Sequence, residues 1–337
     1  MSYVLSLPQP LRTTSDRALS AAVSNLISPG VLFFALGAFA AAVKADVSLP
    51  RQISQTLALY LMAAIGFKGG VELRQSGLGA EVFIGLGCGL ALGLTIPLIA
   101  FFLVSRFTSV KRVDAASLAA HYGSVSLVTF GAAVALLDEL SVATSGYMPA
   151  VLALMEAPAI AVGVLLGKSG SGAGGGSRKA ALREALTSGS VLVLLGATVI
   201  GLILGAQGLN ELEGFFVAPF TGVLALFLLN MGVMAFSRIG AIREAGFGLF
   251  AFAIYMPLIG GTVGALLASA LGLGVGDVTL MATLAASASY IAAPAAVQIA
   301  MPDANPGVTL PLVIGITFPF NLIVGIPLYL EFARILG

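Results

Sequence analysis

His121-Tyr122-Gly123-Ser124-Val125-Ser126-Leu127-Val128-Thr129 and Ser287-Ala288-Ser289-Tyr290-Ile291-Ala292-Ala293-Pro294 are polar, helix-breaking stretches set in the middle of apolar runs. A helix that crosses a bilayer satisfies its own backbone, so such residues at mid-span are costly unless they line a cavity enclosed by protein. The two stretches therefore predict two interrupted membrane helices. Interruptions at corresponding places in two halves of a chain are the best sequence pointer to a transporter binding site. At each break, free N–H groups and a positive dipole end can face an anion, while hydroxyls replace part of its hydration shell. The candidate substrate-binding residues are Gly123, Ser124, Ser126, Thr129, Ser287, Ser289 and Tyr290. Pro294, which has no backbone donor, is expected to open its helix locally. Any one hydroxyl can instead bond back to its own helix; it is the pairing of the clusters that points to function.

Working outward, apolar runs separated by charge define about ten candidate spans, near 26–45, 49–67, 79–105, 111–137, 143–166, 189–206, 215–236, 246–271, 277–300 and 309–331. Each is close to the roughly 20 residues that cross a hydrocarbon core. Composition agrees: 58% of residues are hydrophobic and 9% charged, against about 25% charged in a soluble domain. A net charge of +1 gives no sign of nucleic-acid binding. Cys88, the single cysteine, forms no intrachain disulfide and is expected to pack as bulk. The N-terminal segment 1–25 carries Arg12, Asp16 and Arg17 without the apolar core of a signal peptide, so it is expected to be retained.

Residues 167–188 contain the glycine/serine tract Lys168-Ser-Gly-Ser-Gly-Ala-Gly-Gly-Gly-Ser-Arg178, a flexible linker that divides the chain near its middle. On either side, 26–166 and 189–331 read as two five-helix repeats. Leu118-Ala119-Ala120-His121 returns as Leu284-Ala285-Ala286-Ser287, and Gly66 returns as Gly232, both 166 residues later. With five spans per half, the second repeat enters the membrane upside down. The expected fold is an all-α membrane protein with two inverted repeats and interrupted helices 4 and 9. Eleven of the sixteen Lys and Arg residues, Arg238 and Arg243 among them, fall on one side if both termini lie outside. That orientation satisfies the positive-inside rule for a multi-pass protein of the cell (inner) membrane, with the linker cytoplasmic.

Two further residues attract attention for their chemistry. His121, the one histidine, is suited to carry a proton or to hydrogen-bond substrate, with a structural neutral role the alternative. Glu156 lies about ten residues inside the fifth span from either end. A carboxylate at that depth belongs to an ion or proton path or to a helix-holding ion pair. Both are candidate ion-coupling residues. The charges of Lys68, Glu72, Arg74, Arg238 and Arg243 directly follow apolar runs and are explained by snorkelling to the interface. With no Walker motif, Cys/His cluster or nucleophile elbow, the sequence gives no grounds for an enzyme, ATP-driven transport or a cofactor.

Several of these motifs carry a resemblance. Ile65-Gly66-Phe67-Lys68-Gly69-Gly70, Gly123-Ser124-Val125-Ser126, Met155-Glu156-Ala157-Pro158-Ala159, Met231-Gly232 with Phe236-Ser237-Arg238-Ile239-Gly240, Ala285-Ala286-Ser287-Ala288-Ser289 and Pro302-Asp303-Ala304-Asn305-Pro306 stand in an order and spacing similar to the SbtA family. These are the sodium-dependent bicarbonate transporters best known from cyanobacteria. The resemblance implies an elevator-type homotrimer of ten helices per chain, with a gate domain from spans 1, 2, 6 and 7 and a core domain from the rest. It implies bicarbonate and Na+ bound where helices 4 and 9 cross, with Na+ near Ser126, Ser287 and Glu156, and a cytoplasmic PII-like partner. The chain departs from the family at Tyr290, where an aspartate is expected, at Ala292 in place of a serine, and at His121. A neutral phenol is a poor cation ligand, which leaves proton-coupled transport of another small anion as the alternative. In a different class, an anion-binding membrane sensor also fits the residues, although it has no need of repeated interruptions.

Overall fold

The computed structural model describes residues 28–47, 49–77, 79–168, 189–241 and 246–337. The segment 1–25, residues 169–188 of the linker and Arg243 lie outside the described residues. Every regular element described is helical: α1 (Pro29–Ala42), α2 (Arg51–Ser76), α3 (Ala80–Phe107), α4 (Arg112–Gly123), α5 (Leu127–Glu139), α6 (Met148–Lys168), α7 (Gly189–Phe216), α8 (Phe220–Ser237), α9 (Phe247–Ala270), α10 (Val275–Ala286), α11 (Ala292–Ala300) and α12 (Pro306–Leu336). Among the described residues, eight helical stretches are long and apolar enough to cross a membrane, counting Arg112–Glu139 as one. Large apolar side chains such as Phe83, Phe102, Ile203 and Phe247 stand on the outside, as lipid requires. The chain is a multi-pass membrane protein.

The differences from the expected spans have local causes. The second span was expected to end near 67, yet α2 runs to Ser76, carrying Lys68, Glu72 and Arg74 on the helix itself. Nor do these charges simply snorkel. Lys68 Nζ pairs with Asp138 Oδ2 at 2.7 Å, and Arg74 donates to the carbonyls of Leu202 and Ile203 on α7. Those carbonyls lie where α7 kinks at Gly205 (φ 62°, ψ −151°), a left-handed conformation suited to glycine. The sixth span was expected to stop at 206, close to this residue, but the helix resumes beyond it to Phe216. Cys88 is buried in the core.

Glycines set how closely the helices approach. A Cβ on Gly66 or Gly70 of α2 would overlap the carbonyl oxygens of Leu194 and Thr198 on α7, and one on Gly201 would overlap that of Phe67. Gly37 of α1 and Gly232 of α8 meet Leu229 and Phe34 oxygens in the same way. Thus α2 packs on α7 and α1 on α8, backbone against backbone. The remaining helices pack mainly among themselves, α3 and α4 on α6 and α9 on α10.

Inside that second group, α4 and α10 are each twelve residues long, about 18 Å, so each stops near the middle of a roughly 30 Å core. They end at equivalent extended serines, Ser124 (φ −81°, ψ 163°) and Ser287 (φ −82°, ψ 170°). This places the local correspondence 163 residues apart (287 − 124) rather than the 166 read from the alanine-rich sequence. In the new register Ser124-Val125-Ser126 matches Ser287-Ala288-Ser289, and Asp114 matches Asp277, each the third residue of its helix. Both aspartates are buried and tie their helix to the opposite half of the chain. Asp114 Oδ1 accepts from the Asn305 amide at 2.8 Å. Asp277 accepts from Ser145 N (2.8 Å), Ser145 Oγ (2.6 Å) and Tyr147 OH (2.9 Å). Burial, and next to it the Asp277 charge, push the Tyr147 phenol above its usual range, so it remains a donor. Asp277→Asn removes the charged acceptor of the two bonds on Oδ2 and is expected to cost about 1–3 kcal/mol, seen as a lower melting temperature in detergent. An unchanged melting temperature counts against the tie.

Candidate functional site

The two interruptions meet. The Ser289 amide donates to the His121 carbonyl at 2.9 Å, and the Ser126 amide donates to Ser287 Oγ at 2.8 Å. Ser287 passes its own proton to the Leu284 carbonyl at 2.9 Å, so its one proton is committed within the bridge. Ser126 is the N-cap of α5, where its Oγ accepts from Thr129 N at 3.3 Å and Thr129 Oγ1 at 2.9 Å. Ser289 Oγ accepts from Ala293 N at 3.3 Å at the start of α11. A hydroxyl has one proton, and neither Ser126 nor Ser289 has used its own in these bonds. Pro294 sits in the first turn of α11, where a missing N–H needs no partner, so it starts a helix instead of opening one.

Beside the crossing is a narrow cavity of about 20 Å³, lined by Met62, Ser126, Glu156, Ser289 and Tyr290 with the backbone around them. It has room for one water or one dehydrated cation, since about 10–15 Å³ is the minimum for a water. Glu156 is buried, and no Lys or Arg among the described residues pairs with it. Of the expected site residues, Ser126, Ser289, Tyr290 and Glu156 share this wall. Ser124, Thr129, Ser287, Gly123 and His121 stand outside it. The Gly123 position is filled from the other side, because a Cβ there would lie 2.6–2.8 Å from the Pro97 ring of α3. His121 Nδ1 bonds the Ser117 carbonyl at 2.8 Å. Among the buried polar atoms left without a partner among the described residues, His121 Nε2 and Ser124 Oγ lie on these stretches, while Tyr290 OH has the Ser126 hydroxyl beside it. Unsatisfied groups are rare in folded interiors, so each calls for a specific reason.

Two residues of α12 hold the ends of the broken helices. This helix contains two π-helical segments, Val313–Thr317 and Asn321–Gly325, a distortion common at functional sites. Thr317 Oγ1 donates to Ala253 O at 2.7 Å and so accepts from Tyr122 OH, also at 2.7 Å. Asn321 Nδ2 donates to Ala286 O, the last carbonyl of α10, at 2.8 Å. Neither residue stood out in the sequence. Asp114 and Asp277 were equally missed, although a register of 163 exposes them as a pair.

Two larger cavities flank the crossing. One, about 520 Å³, is lined by Lys68, Glu72, Asp138 and Glu139, with Phe220 at the start of α8. The other, about 940 Å³, is lined by Ser54 and Gln55 near the start of α2 and by Arg238 after the end of α8. They therefore occupy opposite ends of α2 and α8. The larger one shares Met62, Tyr290, Ile291 and Ala292 with the small cavity, and the other shares none of its lining with it. The crossing therefore adjoins the cavity on the Arg238 face.

No curated protein matches this chain. Residues 29–334 match the family model described as the Na+-dependent bicarbonate transporter superfamily, a family of transporters and not of enzymes.

Proposed function

We propose that this chain, which belongs to the Na+-dependent bicarbonate transporter superfamily, carries bicarbonate with Na+ across the cell's inner membrane and binds both where its two helix breaks cross. The observation that carries the reading is the buried Ser124 hydroxyl left without a protein partner beside that crossing. The helices α5 and α11 begin there, so positive dipole ends and the spare proton of Ser289 favour a small dehydrated oxyanion. Two inverted five-helix repeats, ten helices in all, account for the matched breaks. The group α1, α2, α7 and α8 acts as a gate against which the rest moves as an elevator. A homotrimer and a PII-like cytoplasmic partner follow from the family resemblance. With the termini outside, the Arg238 face is the inner one, and the present state is open to the cytoplasm.

Glu156 is the coupling residue in this reading. An isolated carboxylate in a dry interior costs several kcal/mol, so it keeps a cation, and Na+ or a proton fits the narrow cavity beside it. The phenol of Tyr290 adds no charge to that cavity, and this favours the proton as the second reading. Labelled bicarbonate uptake into proteoliposomes, under a Na+ gradient and then a pH gradient, separates the two. Ser124→Ala is expected to lower uptake at least tenfold with little change in melting temperature, because that hydroxyl supports nothing in the protein. Glu156→Gln is expected to retain exchange of labelled for unlabelled anion while losing accumulation driven by either gradient. Wild-type uptake by the Ser124 variant would remove the proposed site, and undiminished accumulation by the Glu156 variant would remove the coupling role.

A further inference from the structure

The 940 Å³ cavity is more than a passage. Among the described residues that line it, Arg238 is the one Lys, Arg, Asp or Glu, whereas the cavity at the other end holds Lys68 against Glu72, Asp138 and Glu139. Counted over the described residues, one vestibule is net positive and the other net negative. No ion-pair partner for Arg238 is found among the described residues. Of the polar groups around it, Ser237 spends its own proton on the Val233 carbonyl, while Ser54 and Gln55 offer donors. Asn230 Nδ2 donates to Ser54 Oγ at 3.1 Å, so Ser54 keeps its own proton to give. Asn230 is itself fixed, its Oδ1 accepting from the Leu49 amide at 3.4 Å. Gln55, exposed on the same wall, adds an amide donor. Met231, which lines the cavity as well, is seven residues before Arg238, about 10 Å of helix. The cavity is separated from the crossing only by residues that line both, Met62, Tyr290, Ile291 and Ala292.

We propose that Arg238, with Ser54 and Gln55, forms a second anion subsite in this vestibule that takes up a small monovalent oxyanion on its way to or from the helix breaks. Low-dielectric walls focus the field of the single guanidinium along the cavity, and its fork of donors matches a planar oxyanion. The subsite rests on the transport reading, and it adds a sidedness that the crossing alone does not supply. Because it is wet and offers few ligands, it binds weakly and raises local concentration, affecting KM on one face and leaving the turnover step alone.

The test is labelled bicarbonate flux in right-side-out and inside-out membrane vesicles carrying the full chain. Arg238→Gln is expected to raise KM about tenfold from the Arg238 face only, with kcat and the opposite-face KM unchanged, and Arg238→Lys to recover most of the loss. Gln55→Glu, at an exposed position that the fold tolerates, is expected to raise the same KM, and Gln55→Lys to lower it. Rising ionic strength should weaken the wild type on that face and leave Arg238→Gln unaffected. An Arg238→Gln protein with wild-type KM on both faces, or with an equal rise on both, overturns the subsite. Wild-type vesicles without bicarbonate flux in either orientation overturn the transport reading and the subsite with it.

Discussion

Ser287→Ala is expected to reduce anion uptake by at least tenfold and to lower the melting temperature together with it. The Ser287 hydroxyl receives the Ser126 amide and passes its own proton to Leu284. Removing it strands a buried N–H, at a cost of about 1–3 kcal/mol, and frees the two breaks to shift. The prediction contrasts with Ser124→Ala, where transport falls and stability holds. Measuring both variants by thermal unfolding in detergent and by flux separates a residue that bridges the breaks from one whose hydroxyl makes no contact within the protein. Normal flux through Ser287→Ala would show that the bridge does not position the crossing.

Gly70→Ala should have the larger structural effect. The added Cβ overlaps the Thr198 carbonyl oxygen and lies 2.8 Å from its carbon and 2.9 Å from the Leu202 amide nitrogen. All three atoms are backbone, so no side chain can rotate away and the helices α2 and α7 must part. Overpacking of this kind costs about 1–3 kcal/mol, occasionally more, and here it recurs at Gly66 and Gly201 along the same seam. The expected result is loss of the monodisperse peak in size-exclusion chromatography, or a much reduced melting temperature. Gly196→Ala on the same α7 points into open space and is the control; it should be neutral or gain up to about 1 kcal/mol from helix propensity. Equal behaviour of the two variants would discredit the close seam.

Which of these features could be read from the residues alone follows from what each depends on. The breaks were legible because Ser, Gly and Pro at mid-span have few uses in lipid, and the membrane class followed from run length and charge scarcity. The register was misjudged by three residues because Leu-Ala-Ala recurs easily in an alanine-rich chain, while the helix ends that fix it depend on backbone angles at Ser124 and Ser287. Gly205 looked like a terminus, since sequence does not say that Arg74 supplies the hydrogen bonds a kink needs. Ser126, Ser287 and Ser289 were all expected to face the solute. That Ser287 accepts from the Ser126 amide depends on a tertiary contact across 161 residues of sequence, whereas Ser126 and Ser289 accept from donors in the next helical turn.

The cross-half ties also bear on how the protein is made. The partners of Asp114 and of the Ser126 amide, Asn305 and Ser287, lie in the last part of the chain. At roughly 5–20 residues per second of synthesis, the first half waits on the order of ten to thirty seconds in the bilayer with its carboxylate and its opened helix unmatched. During that interval it offers membrane proteases and insertion chaperones a polar flaw that the finished molecule conceals. Slow codons or truncations after the linker should therefore be felt first as degradation of the nascent chain.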